Sequence, residues 1–185
     1  MISVVTITGS PSQASRSAAL AQHVAHRLRA RGFELASINV RDLPADALVT
    51  GRTDDPAIAE AIRVVERADA VVAATPIYKA SYTGVLKMFL DILPQFALAG
   101  KVVLPLATGG TLAHVLALDY ALRPVLVALG AHHIVNGLFI LDKTLAVSDG
   151  RVTLEADVEQ RLTVLVDDFA AVVEAAHARR ALPPR

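Results

Sequence analysis

The sequence has 185 residues and a mass of 19.5 kDa, a length typical of one domain. Its 18 basic and 18 acidic side chains cancel, so the chain as a whole carries no excess charge that would attract it to nucleic acid or to an anionic membrane. No cysteine is present, which excludes disulfides, thiolate metal sites and a catalytic thiol.

Membrane insertion and export are both disfavoured by the sequence. Charges or prolines interrupt each apolar stretch before it reaches the ~18 residues that a spanning helix needs. The first ten residues, MISVVTITGS, lack the basic segment of a signal peptide. We therefore expect a soluble protein in the cytoplasm, with no membrane and no nucleic-acid partner.

The predicted elements alternate between strand and helix along the chain. The run 2–8 is rich in β-branched residues and stops at Gly9, and the stretch 16–31 carries apolar residues at helical spacing. Further strands are predicted over residues 33–40, 70–76, 101–108 and 132–141, further helices over 56–67, 84–93, 111–129 and 155–179, and loops over 41–53 and 77–84. We expect a frayed, disordered tail at 181–185.

Five strands that alternate with five helices predict an α/β domain over residues 1–180. The expected architecture is a flavodoxin-like, doubly wound, five-stranded parallel sheet of order 2-1-3-4-5 with helices on both faces. Ligands of such sheets bind beyond the carboxyl ends of the strands, so the loops after the first, third and fourth strands are the places to examine.

The loop after the first strand is suited to a phosphate monoester. Its hydroxyls and one guanidinium lie where a helix begins, and a helix start offers free N–H groups and positive potential. Ser12 or Ser15 could instead simply cap the helix. The candidate phosphate-binding residues are Ser10, Ser12, Ser15, Arg16 and Ser17.

The loops after the third and fourth strands are suited to a planar ring. Pro76 stiffens the first of them, which continues through Ile77, Tyr78 and Lys79, and a rigid segment with an aromatic side chain can pack on a flat heterocycle. An exposed loop with amphipathic tyrosines is the alternative. The second begins at Thr108, where Gly109 and Gly110 permit close backbone approach or positive φ. A phosphate site and a ring site on one crevice predict a mononucleotide such as FMN.

The predicted helix 111–129 is apolar on every side, which indicates burial by another subunit and hence a dimer or tetramer. Pro124 lies inside it and crowds the carbonyl of Tyr120, which predicts a kink or a π-bulge there. Asp119 and Arg123 are spaced to form an ion pair. His114 could border the ring, or serve as a cap or interface residue.

Several other site types are absent from the sequence. The first loop lacks the GxxxxGK[ST] pattern of a nucleoside-triphosphate site, and it lacks the GxGxxG pattern of a Rossmann dinucleotide site. No HExxH or Cys/His set predicts a metal, and no GxSxG predicts a serine hydrolase.

Four segments resemble the flavodoxin-like NADPH-dependent FMN reductases, most closely the reductase component of two-component alkanesulfonate monooxygenase systems. They are GSPSQASRS at 9–17, TPIYKASYTGVLK at 75–87, LDILPQFALAGKVVLPLATGG at 90–110 and AHVLALDYALRPVL at 113–126. The segment DKTLAVSDGRVT at 142–153 has no counterpart.

The resemblance implies reduction of free FMN by NADPH and transfer of the reduced flavin to a separate monooxygenase. It places the phosphate site on the serines and arginine of residues 10–17 and the ring site on 76–79 and 108–110. It also matches Tyr120 to a tyrosine inserted in a π-helix at a tetramer interface. Lys79, or backbone N–H groups near it, could stabilise charge on the flavin, and NADH could replace NADPH.

Two alternatives remain open at this point. A quinone, azo or chromate reductase that retains FMN would share the first loop. A flavodoxin-like electron carrier would share the fold, although such carriers are generally acidic and this chain is neutral.

Overall fold

A computed structural model describes residues 1–148 and 150–180 of the chain, so the predicted tail at 181–185 lies outside the described residues. The strands are β1 (Ser3–Thr8), β2 (Glu34–Asn39), β3 (Ala70–Tyr78), β4 (Ser81–Tyr82), β5 (Val102–Gly109), β6 (His133–Ile134), β7 (Leu138–Leu141), β8 (Leu145–Ser148) and β9 (Arg151–Leu154). The α-helices are α1 (Arg16–Ala30), α2 (Ala45–Thr50), α3 (Pro56–Arg67), α4 (Gly84–Asp91), α5 (Arg123–Ala128) and α6 (Ala156–Arg180).

The main sheet confirms the predicted doubly wound α/β class. Its strands follow the path β2-β1-β3-β5-β6, and all neighbours on this path are parallel. The short strand β4 pairs antiparallel with β3, β7 pairs parallel with β5, and β8 and β9 form a separate hairpin. The sheet therefore has 7 strands. The predicted order 2-1-3-4-5 describes only its main path and is not exact.

The single strand predicted over residues 132–141 is two strands, β6 and β7, which pair with successive parts of β5. Their partners are Val102 and Val103 for β6 and the residues from Leu106 onward for β7. Pro105 lies between these parts and has no N–H to continue a ladder of hydrogen bonds. Pro105 on the neighbouring strand β5 therefore determines where the predicted strand 132–141 breaks.

Side chains of the central strands alternate between two apolar cores, one on each face of the sheet. Val71 of β3 belongs to the core under α3, α4 and α5, whereas the next residue, Val72, belongs to the core under α1 and α6. Both residues are buried, as the continuous apolar run at 70–76 predicts for a central parallel strand.

Two predicted loops contain regular structure. Residues 41–53 include the six-residue helix α2, which begins after Pro44 and ends at Gly51. Residues 77–84 include a β-hairpin, because β3 continues to Tyr78 and turns back into β4. Its two turn residues, Lys79 and Ala80, both have positive φ, as a two-residue hairpin turn requires.

The continuous helix predicted over residues 111–129 is wrong, whereas the predicted irregularity at Tyr120 is confirmed. The segment contains a 3-10 turn at Leu112–His114, a π-helical turn at Leu118–Leu122 and then α5. Pro124 explains the wide turn, because it has no N–H for the carbonyl of Tyr120 and its ring occupies the space near that carbonyl. The predicted pair is also present, with Arg123 Nε 3.1 Å from Asp119 Oδ1.

No helix in residues 1–148 or 150–180 combines the length and the apolar character needed to cross a bilayer.

His23 on α1 carries a half-buried imidazole whose Nε2 has no hydrogen-bond partner among the described residues. Burial is the main cause that lowers the pKa of His23 below its usual 6.5, and the positive charge of Arg27 and then His26 adds to the effect. Glu159 lies 3.7 Å from Nε2, but its other carboxylate oxygen is engaged by Arg27. The folded protein therefore favours the neutral imidazole.

We expect the free energy of unfolding to fall as the pH is lowered through 6.5, because the unfolded chain takes up a proton on His23 more readily than the folded chain. The His23→Leu variant should lose less stability on acidification than the wild type, and His132→Leu, at an exposed position outside α1, should behave like the wild type. Urea unfolding on both sides of this pH measures the effect. An undiminished acid loss in His23→Leu would contradict it.

Candidate functional site

The carboxyl ends of β1, β3 and β5 open into a cavity of about 360 Å³, which we call the cleft. Its lining contains every sequence-predicted binding residue except Ser17, Lys79 and His114, together with Ala14 and Asp142. The predicted residues that line it are Ser10, Ser12, Ser15, Arg16, Pro76, Ile77, Tyr78, Thr108, Gly109 and Gly110. The structure thus brings together the three loops that the sequence singles out.

Serine side chains at the start of α1 organise the first loop. Ser15 is the N-cap, and its hydroxyl accepts a hydrogen bond of 3.1 Å from the N–H of Ala18. Ser10 is buried, and its hydroxyl accepts from the N–H of Ser12 at 3.2 Å. The capping alternative is therefore correct for Ser15, which nevertheless also lines the cleft.

Unused donors and positive charge meet at the same helix start. In the described part of the chain, the N–H groups of Arg16 and Ser17 have no protein acceptor, since Ser15 takes the hydrogen bonds from Ala18 and Ala19. Arg16 is exposed, and no described carboxylate lies within ion-pair distance of it. This end of the cleft can bind an anion.

Ser17 is the one predicted phosphate residue that does not line the cleft. Its side chain is buried, and its hydroxyl lies 3.1 Å from the hydroxyl of Ser15. The Ser17 side chain therefore contacts the N-cap residue Ser15 and not the cleft, while its N–H group is one of the free donors at the start of α1.

The last residues of β3, Pro76, Ile77 and Tyr78, form an extended wall of the cleft. Pro76 is half-buried, Ile77 is buried, and the Tyr78 side chain is 52% exposed at the strand end. Lys79 is exposed on the hairpin turn and does not line the cleft. The wall thus offers flat apolar surface and backbone groups to a ring. The ammonium group of Lys79 is not part of the wall.

Gly109, the last residue of β5, and Gly110, which follows it, have different structural roles, and neither has the positive φ that the sequence allowed. A Cβ on Gly109 would lie 2.8 Å from the ring of Phe139, so this glycine is required by packing behind the cleft. A Cβ on Gly110 would meet no atom within 4 Å. Only Gly110 leaves open space where a ligand can approach the backbone.

The sequence did not single out Thr83, a buried residue that links the first loop to the segment after β3. Its hydroxyl donates to the carbonyl of Gly9 and accepts from the N–H of Leu86 at 3.2 Å, and its own N–H donates to Thr75 Oγ1 at 3.2 Å. Thr83 is also the N-cap of α4. A threonine directly before an apolar helical run is a readable cap signal, but its contact with Gly9 is not.

Two further residues next to the first loop were also missed. Arg41 follows β2, and its guanidinium donates a hydrogen bond to the carbonyl of Ser12. Asp142 follows β7 and adds a carboxylate to the lining of the cleft. Both positions come from the pairing of strands, for which no local pattern in the sequence gives a signal.

Exposed apolar side chains recur along the segment that follows the cleft. His114 is half-buried in its 3-10 turn and lies outside the cleft lining. The exposed side chains are Leu112 (63% exposed), Val115 (43%), Leu116 (56%), Tyr120 (78%) and Val127 (52%), which we call the apolar surface. Single exposed apolar residues are ordinary, but a cluster of this kind marks a contact surface.

Residues 1–148 and 150–180 contain no group of three or more histidine, aspartate or glutamate side chains placed to hold a metal ion.

The known proteins that this chain resembles include FMN reductases. Residues 2–146 match the family model of NADPH-dependent FMN reductases. The chain is 44% identical over 180 residues to an FMN reductase (NADPH) of Pseudomonas putida, which covers 97% of this chain and 90% of that protein. It is 42% identical over 166 residues to an FMN reductase (NADPH) of Escherichia coli, which covers 90% and 87%. An NADH-dependent FMN reductase, SfnE of Pseudomonas putida, is 33% identical, covering 97% and 96%.

Solved structures agree with these relatives. An NADH:FMN oxidoreductase in its apo form superimposes with a TM-score of 0.86 and 45% identity, covering 93% of this chain and 90% of that one. An archaeal flavodoxin superimposes with a TM-score of 0.63 over 94% of this chain and 99% of its own, at 13% identity, which shows the flavodoxin-like fold alone.

Proposed function

This chain belongs to the family of NADPH-dependent FMN reductases, and from that premise we propose that it binds FMN in the cleft and reduces it with NADPH. The observation that carries the assignment of the site is the composition of the cleft from end to end. One end presents an uncompensated guanidinium and free N–H groups, and the other presents an extended wall and open space at Gly110. These ends match a phosphate and a flat ring.

In this proposal the first loop binds the FMN phosphate through Arg16, the serine hydroxyls of residues 10–15 and the first N–H groups of α1. The segments 76–78 and 108–110 hold the ring flat at the carboxyl edge of the sheet. Bound FMN supplies the hydride acceptor of the reaction. The protein orients this acceptor towards the coenzyme, a geometric contribution that needs no acid or base side chain.

The position of Lys79 changes one expectation about charge on the ring. Since Lys79 lies outside the cleft lining, backbone N–H groups of the ring-binding segments are better placed to stabilise negative charge that develops there. We therefore assign this role to the backbone rather than to the lysine side chain.

The rate of NADPH oxidation, followed by absorbance with and without added FMN, tests the proposed function. We expect oxidation to require free FMN and to saturate as its concentration rises. Oxidation that needs no added flavin and responds to a quinone or azo acceptor would contradict the proposal and favour a reductase that retains FMN. A protein that keeps its flavin and ignores both coenzymes would be an electron carrier instead.

We also propose that the apolar surface is the contact through which this chain forms a dimer or tetramer. The Leu116→Asp variant should dissociate, because each copy would bury an unpaired charge in the contact. Light scattering after gel filtration measures the mass, and Val164→Asp, a change on the exposed side of α6, is the matched control. A wild-type monomer, or an unchanged assembly in Leu116→Asp, would contradict this contact.

The cleft is lined by exposed residues, including Ser12, Tyr78 and Gly110, so a reduced flavin can leave it. We propose that a separate flavin-dependent monooxygenase receives it, and the segments 90–110 and 113–126 support the alkanesulfonate type.

We further propose that residues 1–180 form one domain, because both cores share one sheet. We also propose that the protein acts in the cytoplasm, where NADPH is available.

A further inference from the structure

A second and larger cavity adjoins the cleft, and the proposed function assigns it no ligand. This groove has a volume of about 800 Å³ and shares Ala14, Ser15, Arg16 and Asp142 with the cleft. Its far side is formed by β8 of the small hairpin and the turn before it. The shared residues belong to the phosphate end of the cleft and to Asp142, so a long ligand that begins on the flavin ring would pass this end to enter the groove.

The groove concentrates positive charge in a chain whose net charge is zero. Arg16, Arg41 and Lys143 line it, and among the described residues of its lining Asp142 is the one carboxylate. Asn39 also lines it, and its Oδ1 accepts a hydrogen bond of 2.8 Å from the Thr8 hydroxyl, so its NH₂ group remains available as a donor. These donors suit a phosphorylated ligand.

The three cations differ in how far the protein already uses them. Arg16 is assigned above to the FMN phosphate. Arg41 donates to the Ser12 carbonyl and lies 3.3 Å from an Asp42 carboxylate oxygen, so its charge is partly compensated. Lys143 is exposed and lines the groove but not the cleft, and no described carboxylate or carbonyl lies within hydrogen-bond distance of its ammonium group.

We propose that the groove binds the adenosine half of the coenzyme and that Lys143, together with Arg41, binds the 2′-phosphate that distinguishes NADPH from NADH. This inference rests on the proposed function, because it assumes that the coenzyme reaches FMN in the cleft. With FMN in the cleft of about 360 Å³, the adenosine half of a dinucleotide has the adjoining groove of about 800 Å³ to occupy. A 2′-phosphate carries up to about two negative charges, which match the cations not assigned to FMN.

Lys143→Ala tests the inference through coenzyme preference. We expect kcat/KM for NADPH to fall about tenfold through KM, with kcat and the NADH reaction unchanged, because one charge-assisted hydrogen bond to the 2′-phosphate is lost. Lys87→Ala removes a charge of the same kind on α4 and should leave both coenzymes unaffected. An equal loss for NADH and NADPH would place the lysine on the pyrophosphate and overturn the inference, as would no loss at all.

A binding measurement separates this inference from the proposed function. Adenosine 2′,5′-bisphosphate, titrated calorimetrically into FMN-saturated protein, should bind Lys143→Ala about tenfold more weakly than the wild type, whereas AMP should not distinguish the two. Equal affinities of both proteins for the bisphosphate would overturn the inference. If neither coenzyme is oxidised in the presence of FMN, the proposed function fails, and titration into protein without FMN still decides whether Lys143 recognises the phosphate.

Discussion

Gly9→Ala should lower the free energy of unfolding by about 3 kcal/mol. A Cβ at this position would lie 2.3 Å from the Leu86 Cβ and 3.0 Å from the Leu86 Cα, so rotating the leucine side chain cannot relieve the overlap. The main chain of Gly9 is also fixed, because its N–H donates to the carbonyl of Ala74 and its carbonyl accepts from Thr83. In a domain of this size the change corresponds to a decrease in Tm of roughly 6–12 °C.

Thermal unfolding followed by circular dichroism measures this loss, and Gly84→Ala is the matched control. Gly84 is the first residue of α4, and a Cβ there would meet no atom within 4 Å. This variant should be as stable as the wild type or slightly more stable, because alanine favours a helix. If Gly9→Ala unfolds at the same temperature as Gly84→Ala, the close contact between the first loop and α4 is not as described.

Arg16→Ala should weaken FMN binding by about 10- to 100-fold, because it removes the guanidinium from the phosphate end of the cleft. Riboflavin has the same ring but no phosphate, so its affinity should be the same for the variant and the wild type. Flavin fluorescence titration measures both ligands. The fold should be unaffected, since the Arg16 side chain is exposed.

Arg161→Ala on α6 provides the control for charge, because this exposed arginine lines neither the cleft nor the groove. Its FMN affinity should equal that of the wild type. An equal loss of FMN and riboflavin in Arg16→Ala would assign the arginine to the shape of the cleft, and no loss would remove it from the phosphate site.

The sequence predicts the features that depend on neighbouring residues. The apolar run at 70–76 predicts a strand buried on both faces, which β3 is. The serines before Arg16 predict a capped helix, and Pro124 predicts the wide turn at Tyr120. Each of these follows from the chemistry of one side chain or from the period of a short segment, which the surrounding fold does not alter.

The sequence fails where the partner of a residue is distant in the chain. Arg41 and Ser12 are 29 residues apart and meet because β2 pairs with β1. The hairpin at Lys79 and Ala80 was missed because neither is a typical turn residue, so no local signal marks their positive φ. The helix at 111–129 was predicted too long because its apolar composition hides the break before Tyr120.

The meeting of the three loops at one cleft is predictable because all three follow strands of one parallel sheet, and such loops meet at one edge. The exclusion of Ser17 and Lys79 from the cleft was not predictable. Ser17 turns inward to Ser15, and Lys79 is carried past the edge by the extra residues of β3. Membership of a loop therefore predicts which segments reach the cleft, but not which side chains of those segments line it.

A crystal structure of this protein with bound FMN tests the central claim most directly. Our account predicts that the phosphate lies at the start of α1, within hydrogen-bond distance of Arg16 and the serines of the first loop, with the ring against residues 76–78 and 108–110. Flavin bound in the groove beside Lys143, or bound in the cleft with its phosphate away from Arg16, would contradict it.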